Sequence, residues 1–272
     1  MLIAQISDLH IKTEGKLAYG IVDTAKMLSD CVAHIISLNP LPDVVLITGD
    51  TVDYGRRSEY DLLKELLSPL EMPLYFVVGN HDDRAVMRQA FSGPGFEYFA
   101  KCDEFVQYAV DLGGIRLIAL DTVVPLEGRG KLCSKRLAWL DERLSENSSP
   151  TVVAMHHPPF STGIAHMDAL GLEGAEALES IIAKHSHVER LVCGHIHRPI
   201  QCRFGNTLAS TCPSTAHQVA LDLNVEGPDC FVMEPPGYQL HLWRDDRILS
   251  HTCAIGKYAG PYPFRQGGVL ID

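Results

Sequence analysis

Side chains that can bind metal ions occur in five short blocks, each directly after an apolar run. The blocks are Asp8-Leu9-His10, Gly49-Asp50, Gly79-Asn80-His81, His156-His157 and Gly194-His195-Ile196-His197. Imidazole and carboxylate groups together suit iron, zinc, manganese or cobalt, and one carboxylate can place oxygen on two ions at once. We expect Asp50 to form such a bridge. In the D-x-H and H-x-H spacings, side-chain alternation in an extended segment puts both side chains on one side, so that each pair converges on one centre.

The apolar runs before these blocks are short and rich in β-branched residues, which is typical of buried strands. Amphipathic segments of helical length lie between them, and this alternation predicts an α/β fold. Functional sites of open α/β sheets lie beyond the carboxyl ends of the strands, so the five blocks should meet at one rim. The predicted strands are Leu2–Ile6, 43–48, 74–78, Thr151–Met155 and 190–193, and the predicted helices are 23–38, 59–67, 83–91, 135–144 and 173–184.

The alternation of strands and helices is broken at two places. A hairpin over 105–110 and 115–120, turned by Gly113-Gly114, predicts that part of the sheet is antiparallel or mixed. After about residue 200, short strand-like pieces alternate with Pro and Gly, so this part should be all-β.

A tail rich in Pro and aromatic residues ends the chain, and it is expected to pack as an irregular arm on the body or on a neighbouring subunit. We therefore predict a catalytic domain over 1–254, with cap or oligomerisation segments at 200–225 and 255–272. The protein is expected to form a homo-oligomer, a dimer or larger.

Composition excludes several classes of partner. The 272 residues carry a formal net charge of -11, which opposes binding to a nucleic-acid polymer or an anionic membrane.

The first apolar run is too short for a signal peptide, and no run reaches the ~18 residues of a membrane span. The eight cysteines are dispersed without a C-x-x-C pair, so buried free thiols and a cytoplasmic location are expected.

The five blocks, in this order, resemble those of the calcineurin-like metallophosphoesterases, whose pattern is D-x-H, G-D, G-N-H-[DE], H and G-H-x-H. The resemblance implies a four-layer α/β/β/α sandwich of mixed sheets flanked by helices. Within the superfamily, the block His156-His157-Pro158-Pro159 and the tail Tyr258-Ala259-Gly260-Pro261 are most similar to bacterial cyclic-nucleotide phosphodiesterases and glycerophosphodiesterases. Purple acid phosphatases carry a Tyr where this chain has Asp53, so a purple ferric site is not expected.

The resemblance also implies two ligand sets that share one carboxylate. One divalent ion would be held by Asp8, His10, Asp50 and His197, and a second by Asp50, Asn80, His156 and His195. A metal-bound hydroxide would then attack the phosphorus in line. His81 is expected to orient the phosphate or to protonate the leaving oxygen, and Asp82 could hold the imidazole of His81.

The sequence leaves more than one role open for several other side chains. His217 either reaches the site from a later loop or is a surface histidine. His157 is expected to pack rather than to bind metal, because its neighbour His156 takes the ligand position. Tyr19 and Phe160 are candidates for stacking on substrate, although core packing is the usual role of a single aromatic residue. Asn80 and His81 are also expected to contact substrate.

The function that follows is hydrolysis of small phosphodiesters, either 3',5'-cyclic nucleotides such as cAMP or glycerophosphodiesters. A phosphomonoesterase on the same site, such as a nucleotidase or protein phosphatase, is the alternative enzyme. A scaffold that keeps the fold without catalysis is the alternative from another class, although no ligand of the family pattern is missing. A nuclease is disfavoured by the acidic charge balance.

Overall fold

The apolar runs form strands and the amphipathic segments form helices in a computed structural model that describes residues 1–13 and 15–271. The helices are α1 (Thr24–Ile36), α2 (Arg57–Leu67), α3 (Arg84–Ala90), α4 (Ser134–Ser145), α5 (Ala165–Asp168) and α6 (Ala175–Ile182), with a 3-10 helix at Glu97–Lys101. The strands are β1 (Leu2–Ile6), β2 (Val44–Thr48), β3 (Leu74–Val77), β4 (Tyr108–Asp111), β5 (Arg116–Leu120), β6 (Gly130–Lys131), β7 (Thr151–Met155), β8 (Leu172–Glu173), β9 (Val188–Cys193), β10 (Gln201–Phe204), β11 (Thr207–Thr211), β12 (Gln218–Val219), β13 (Phe231–Val232), β14 (Gly237–Arg244), β15 (Arg247–Ala254), β16 (Arg265–Gln266) and β17 (Val269–Leu270). Each end of the five predicted helices therefore falls within two residues of the corresponding end of α1, α2, α3, α4 or α6.

Two mixed sheets carry most of these strands. The first has the order β15-β14-β1-β2-β3, in which β1, β2 and β3 are parallel and the hairpin β14–β15 is antiparallel. The second has the order β10-β11-β9-β7-β5-β4, in which four central strands are parallel and the two edge strands are antiparallel. The predicted hairpin forms β4 and β5, and the late β-rich region completes both sheets.

The two sheets stack between two layers of helices. Helices α1 to α3 cover the outer face of the first sheet, and α4 and α6 cover the outer face of the second. Strand β7 shows why both faces are apolar: Val152 and Ala154 belong to the core between the sheets, whereas Val153 and Met155 pack under α4 and α6. The predicted four-layer α/β/β/α architecture is confirmed.

The segments predicted as cap or subunit contacts lie in different environments. Residues 201–211 form β10 and β11 of the second sheet, and residues 212–219 are buried. Residues 256–271 are exposed throughout. Among the described residues, no helix is long and apolar enough to cross a membrane. The domain boundary, the role of the tail and the cytoplasmic location stay predictions.

The cysteines are only partly as expected. Four of them are buried, whereas Cys230 is exposed near the site described below.

Candidate metal centre

The five blocks meet at one edge of the stacked sheets. Strands β1, β2 and β3 run parallel in the first sheet, as do β7 and β9 in the second, so their carboxyl ends face the same rim. Backbone hydrogen bonds continue across that rim: the amide of Asp8 donates to the carbonyl of Gly49, and the amide of Gly194 donates to the carbonyl of His156. The loops that carry the blocks are thus fixed to one another directly after the strands end.

The backbone in these blocks is left-handed rather than extended as predicted from the spacing. Positive φ values occur at Asp8 (55°), His10 (46°), Asp50 (46°), His195 (70°) and His197 (54°). Such residues are uncommon outside glycine and each costs of order 1–3 kcal/mol, which surrounding contacts must offset. The D-x-H pair still converges, because ligand atoms of Asp8, His10 and His197 lie within 4.8 Å of one another. The H-x-H pair divides, because His195 instead joins a group with His156 and His157.

Two glycines of the blocks are required by the close approach of the loops. A Cβ atom at Gly194 would lie 2.6 Å from the carbonyl oxygen of Thr48 and 3.1 Å from Oδ2 of Asp8. A Cβ atom at Gly79 would lie 3.0 Å from the Cα of Asp50. A larger residue at position 194 would push the two sheets apart, and one at position 79 would push apart the loops after β2 and β3, so these glycines set how closely the ligand groups approach.

The first cluster consists of Asp8, His10 and His197. Nε2 of His10 lies 3.1 Å from Nε2 of His197, which in turn lies 3.7 Å from Oδ1 of Asp8. The Nδ1 atom of His197 is 3.1 Å from the carbonyl oxygen of His217. A carbonyl can only accept, so Nδ1 carries the hydrogen and the Nε2 lone pair faces the cluster. Two imidazole nitrogens at this separation require a proton or a cation between them.

The second cluster is built around His156. Its Nδ1 donates to the carbonyl of Thr48, and its Nε2 lies 3.0 Å from Oδ1 of Asn80 and 3.3 Å from Oδ2 of Asp50. The rings of His156 and His195 lie 5.1 Å apart. Oδ2 of Asp50 is also 3.7 Å from Nε2 of His10. The Asp50 carboxylate therefore lies between the two clusters.

Charge at the two clusters is strongly coupled. Burial alone would lower the pKa of His156, but the carboxylates of Asp50 and Asp8 outweigh it and raise the pKa to about 9. Burial raises the pKa of Asp8 to about 6. Burial would also raise the pKa of Asp50, but the imidazoles of His156 and His81 hold it well below its usual range. The carboxylates thus favour positive charge in the space between the side chains.

The residues present fit a pair of divalent cations. Oδ2 of Asp8 and Nε2 of His195 are buried and have no hydrogen-bond partner among the described residues. Leaving such atoms unpaired costs about 1–3 kcal/mol each, and a cation would satisfy them. Nitrogen and oxygen ligands of this kind suit iron, zinc, manganese and cobalt.

His81 is held by Asp53 and not by Asp82, so the predicted contact of Asp82 is wrong. Nδ1 of His81 donates to the carbonyl of Asp53 at 2.9 Å, so Nε2 is the ring nitrogen left for the cavity that His81 lines. The Asp82 carboxylate instead accepts hydrogen bonds from Thr51, Tyr60 and Gly79, so it braces the loops behind the site. The tight turn from Gly79 to Asp82 points the side chains of His81 and Asp82 in opposite directions.

Asp53 is a site residue that the sequence interpretation missed. Its Oδ1 lies 3.3 Å from Nδ1 of His10, and its Oδ2 lies 2.5 Å from Nζ of Lys12. Burial would raise the pKa of this carboxyl, but His10 and Lys12 outweigh it and lower the pKa to about 2. The only signal in the sequence was its position three residues after Asp50 in the same loop.

His157 packs beside the clusters, in line with its expected role. Its Nδ1 lies 2.8 Å from Oγ1 of Thr122, and its Nε2 lies 3.1 Å from the carbonyl oxygen of Gly128. Burial lowers its pKa to about 3, so the ring is neutral. Both ring nitrogens of His157 thus have hydrogen-bond partners. The ring lies 4.5 Å from that of His195 and packs against it.

The clusters form the inner end of a cavity of about 360 Å³ that opens to solvent. Around its mouth, His217 packs against three rings: His197 at 4.6 Å, Tyr19 at 5.1 Å and Phe231 at 5.1 Å. His217 thus reaches the site. Burial lowers its pKa to about 2. We call Tyr19, Asp229 and Phe231 the mouth residues, and no local pattern in the sequence pointed to the last two.

Phe160 lies elsewhere. It lines a neighbouring cavity of about 360 Å³, which shares His195 and Met167 with the first. Its predicted contact with substrate stays a prediction.

Known proteins resemble this chain in sequence and in fold. Residues 1–199 match the family model for calcineurin-like phosphoesterases. A probable glycerophosphodiester phosphodiesterase GpdQ from Arcobacter nitrofigilis is 40% identical over 276 residues, which cover 100% of both chains. The 3',5'-cyclic adenosine monophosphate phosphodiesterase CpdA from Pseudomonas aeruginosa is 30% identical, over 91% of this chain and 88% of the relative. A dimetal phosphatase from Danio rerio shares the fold with a TM-score of 0.64 at 16% identity, over 94% of this chain and 99% of that chain.

Proposed function

We propose that this chain, which belongs to the calcineurin-like phosphoesterase family, hydrolyses small phosphodiesters with the help of two divalent metal ions. The predicted enzyme class, phosphoric diester hydrolase, is confirmed by the family and by relatives that span the chain and are named phosphodiesterases. Glycerophosphodiesters and 3',5'-cyclic nucleotides are the substrates we propose.

The observation that carries the proposal is the position of Asp50, whose Oδ2 lies within 3.7 Å of Nε2 of both His10 and His156. One carboxylate in this place suits two neighbouring ions. The first ion would be held by Asp8, His10, Asp50 and His197, and the second by Asp50, Asn80, His156 and His195. When bound, such ions supply Lewis acidity and a water that ionises near neutral pH.

The chain's own contribution to the reaction comes from His81. Its backbone amide donates to Oδ1 of Asp50 at 2.9 Å, so the ring is fixed to the residue that lies between the clusters. Its Nε2 lines the cavity and, once protonated, can orient a phosphoryl oxygen or give its proton to the leaving alkoxide. Asp53 holds the ring through its carbonyl and is a positioning residue rather than a catalytic one.

Metal content and substrate preference test the proposal together. Purified protein loaded with Mn²⁺ or Zn²⁺ should bind two ions per chain and cleave bis(p-nitrophenyl) phosphate faster than p-nitrophenyl phosphate. Asp50→Asn should lose bound metal and lower the rate by about 100- to 1,000-fold or more, because charge stabilisation is removed. Asp61→Asn, on the exposed side of α2, is the matched control. Preference for the monoester would favour a phosphomonoesterase, and fewer than one ion per chain after loading would favour a scaffold.

A homo-oligomer built through the tail is part of the proposal. Tyr262 and Phe264 are 76% and 86% exposed, so a large apolar area is uncovered at the end of one chain. Light scattering should give a dimer or larger for the wild type and a smaller species for a Tyr262→Ser, Phe264→Ser double variant. A monomeric wild type at all concentrations would remove this part.

A further inference from the structure

The candidate metal centre is assembled from both large sheets, and buried polar side chains connect these sheets directly beneath it. The first sheet supplies Asp8, Asp50 and Asn80, each shortly after a strand. The second sheet supplies His156 and His195 in the same way. The separation of the ligand groups therefore depends on how the two sheets are held together at this end.

Gln5 makes three hydrogen bonds between the sheets, and its side chain is fully buried. Its Nε2 donates to Oγ1 of Thr48 on β2 at 3.0 Å and to the carbonyl of Cys193 on β9 at 3.0 Å. Its Oε1 accepts from Nε2 of His241 on β14 at 2.9 Å. One amide group thus connects β1 with two strands of its own sheet and with one strand of the opposite sheet.

The orientation of this amide is fixed by its partners. The carbonyl of Cys193 can only accept a hydrogen bond, so the nitrogen of the Gln5 amide must face it. The oxygen then faces His241, whose pKa is lowered by burial to about 3. The neutral ring donates from Nε2 and accepts at Nδ1 from Oγ of Ser250, 2.7 Å away. A reversed amide would place two oxygens against each other at Cys193, so only one orientation is favourable.

Both groups that accept from the Gln5 amide lie beside ligands of the second set. The carbonyl of Thr48 accepts from Nδ1 of His156 at 2.9 Å, so the backbone of Thr48 positions the His156 ring. Cys193 ends β9 and lies two residues before His195. The Gln5 amide therefore joins the support of one imidazole to the strand end that carries the other.

The histidines of the first ligand set have different supports. Nδ1 of His10 lies 3.3 Å from Oδ1 of Asp53, and Nδ1 of His197 lies 3.1 Å from the carbonyl oxygen of His217. Neither contact involves the Gln5 amide. Loss of that amide should consequently affect the second set more than the first.

We propose that Gln5 is a positioning residue, which fixes the spacing of the two sheets and thereby holds His156 and His195 at the separation that the second metal ion requires. This inference rests on the proposed function and concerns a residue outside both ligand sets. Removing a group that supports a metal ligand typically lowers metal affinity by about 10- to 100-fold. Gln5 acts through Thr48 and Cys193, so the lower end of this range is expected.

The affinity of chelator-treated protein for Mn²⁺, measured by titration calorimetry, tests this role. The second set contains the neutral oxygen of Asn80, so its ion should be the weaker of the two. Gln5→Met keeps the volume of the side chain but removes the amide, and it should raise the Kd of the weaker ion by ~10-fold with little change for the tighter one. The rate on bis(p-nitrophenyl) phosphate should fall at limiting Mn²⁺ and recover at saturating Mn²⁺.

Gln239→Met is the matched control. Gln239 is the partner of Gln5 on the adjacent strand β14, and its side chain is also buried between the sheets. Its Nε2 donates to the carbonyl of Thr211 at 3.1 Å, at the end of β11, which precedes none of the proposed ligands. Gln239→Met should lower the urea midpoint about as much as Gln5→Met, whereas both Mn²⁺ affinities should equal those of the wild type.

A milder pair of variants tests the same contact if Gln5→Met does not fold. Thr48→Val removes the hydroxyl that accepts from Gln5, and Thr48→Ser keeps it. The Kd of the weaker ion should rise several-fold in Thr48→Val and stay at the wild-type value in Thr48→Ser.

Three results would overturn the inference while leaving a two-ion phosphodiesterase in place. They are an unchanged Kd of the weaker ion in Gln5→Met and Thr48→Val, equal weakening of both ions, and a loss of affinity in Gln239→Met as large as that in Gln5→Met. A wild type that binds fewer than one ion per chain, or that fails to cleave bis(p-nitrophenyl) phosphate, would instead overturn the proposed function.

Discussion

The inner end and the mouth of the cavity are built in different ways. At the inner end, Asp8 and His156 are fully buried, and their loops are fixed by hydrogen bonds to neighbouring strand ends. At the mouth, Tyr19 and Asp229 are largely exposed and lie on loops outside the two large sheets. The positions of the inner residues are thus fixed by the sheets, and the positions of the mouth residues by the loops that connect the strands. Reaction type and substrate preference should consequently respond to different substitutions.

Substitution of His81 should have the largest effect on the rate of hydrolysis. His81→Gln keeps a polar group but removes the group that carries a proton, so kcat should fall by about 100- to 10,000-fold for every diester. Metal content, measured by mass spectrometry, should stay at the wild-type value. An effect limited to one substrate would place His81 with the mouth instead of the inner end.

Substitutions of Asp53 and Asp82 should distinguish an effect on metal affinity from an effect on the stability of the fold. Asp53→Asn weakens the support of His10, so affinity of the apoprotein for Mn²⁺ should fall by about 10- to 100-fold, measured by titration calorimetry. Asp82→Asn disturbs buried hydrogen bonds to Thr51 and Tyr60 and should lower the free energy of unfolding by about 1–3 kcal/mol. A larger loss of Mn²⁺ affinity in Asp82→Asn than in Asp53→Asn would contradict the positions we assign to them.

Two glycines test the contrast in packing. Gly194→Ala places a Cβ against the carbonyl of Thr48 and should lower the free energy of unfolding by about 1–3 kcal/mol, measured in urea. Gly128→Ala is the control, because the new Cβ meets only the flexible side chain of Leu170. Its stability should lie within about 0.5 kcal/mol of the wild type. Equal losses would mean that the close approach of Gly194 to Thr48 adds nothing to stability.

The smallest effect is expected for His241, a buried histidine between the two sheets. It lies outside both the inner end and the mouth of the cavity, and it should affect how stability depends on pH. Burial, with a smaller contribution from Arg190, lowers the pKa of His241 from 6.5 to about 3. Below pH 6.5 the unfolded chain binds this proton and the native chain does not, so stability falls as the pH decreases toward 3. One such proton contributes about 1.4 kcal/mol per pH unit.

His241→Gln should therefore make the decline in unfolding free energy between pH 6 and pH 4 shallower by that amount. Urea unfolding in the presence of a chelator measures this slope without a contribution from bound metal. His251→Gln, at an exposed position of β15, serves as the control and should keep the wild-type slope. An unchanged slope in His241→Gln would show that other buried groups govern the acid response.

The sequence by itself determined the parallel strands, the layers of helices and the order of the five blocks. Apolar runs of five residues with β-branched side chains have few alternatives to a buried strand, and polar residues directly after parallel strands must meet at one edge. The positions of Asp8, Asp50 and His156 follow from these local rules. The family pattern supplied the division into two ligand sets, which the spacing alone did not contain.

Only the tertiary structure decided which neighbours each ligand side chain has. The left-handed backbone at Asp8 and His195 depends on contacts between loops from different sheets, so an extended segment was a wrong prediction. The choice of Asp53 over Asp82 depends on a turn that sends adjacent side chains in opposite directions. Phe231 reaches Tyr19 across more than 200 residues of chain, and no local period records such a contact because packing between distant segments fixes it.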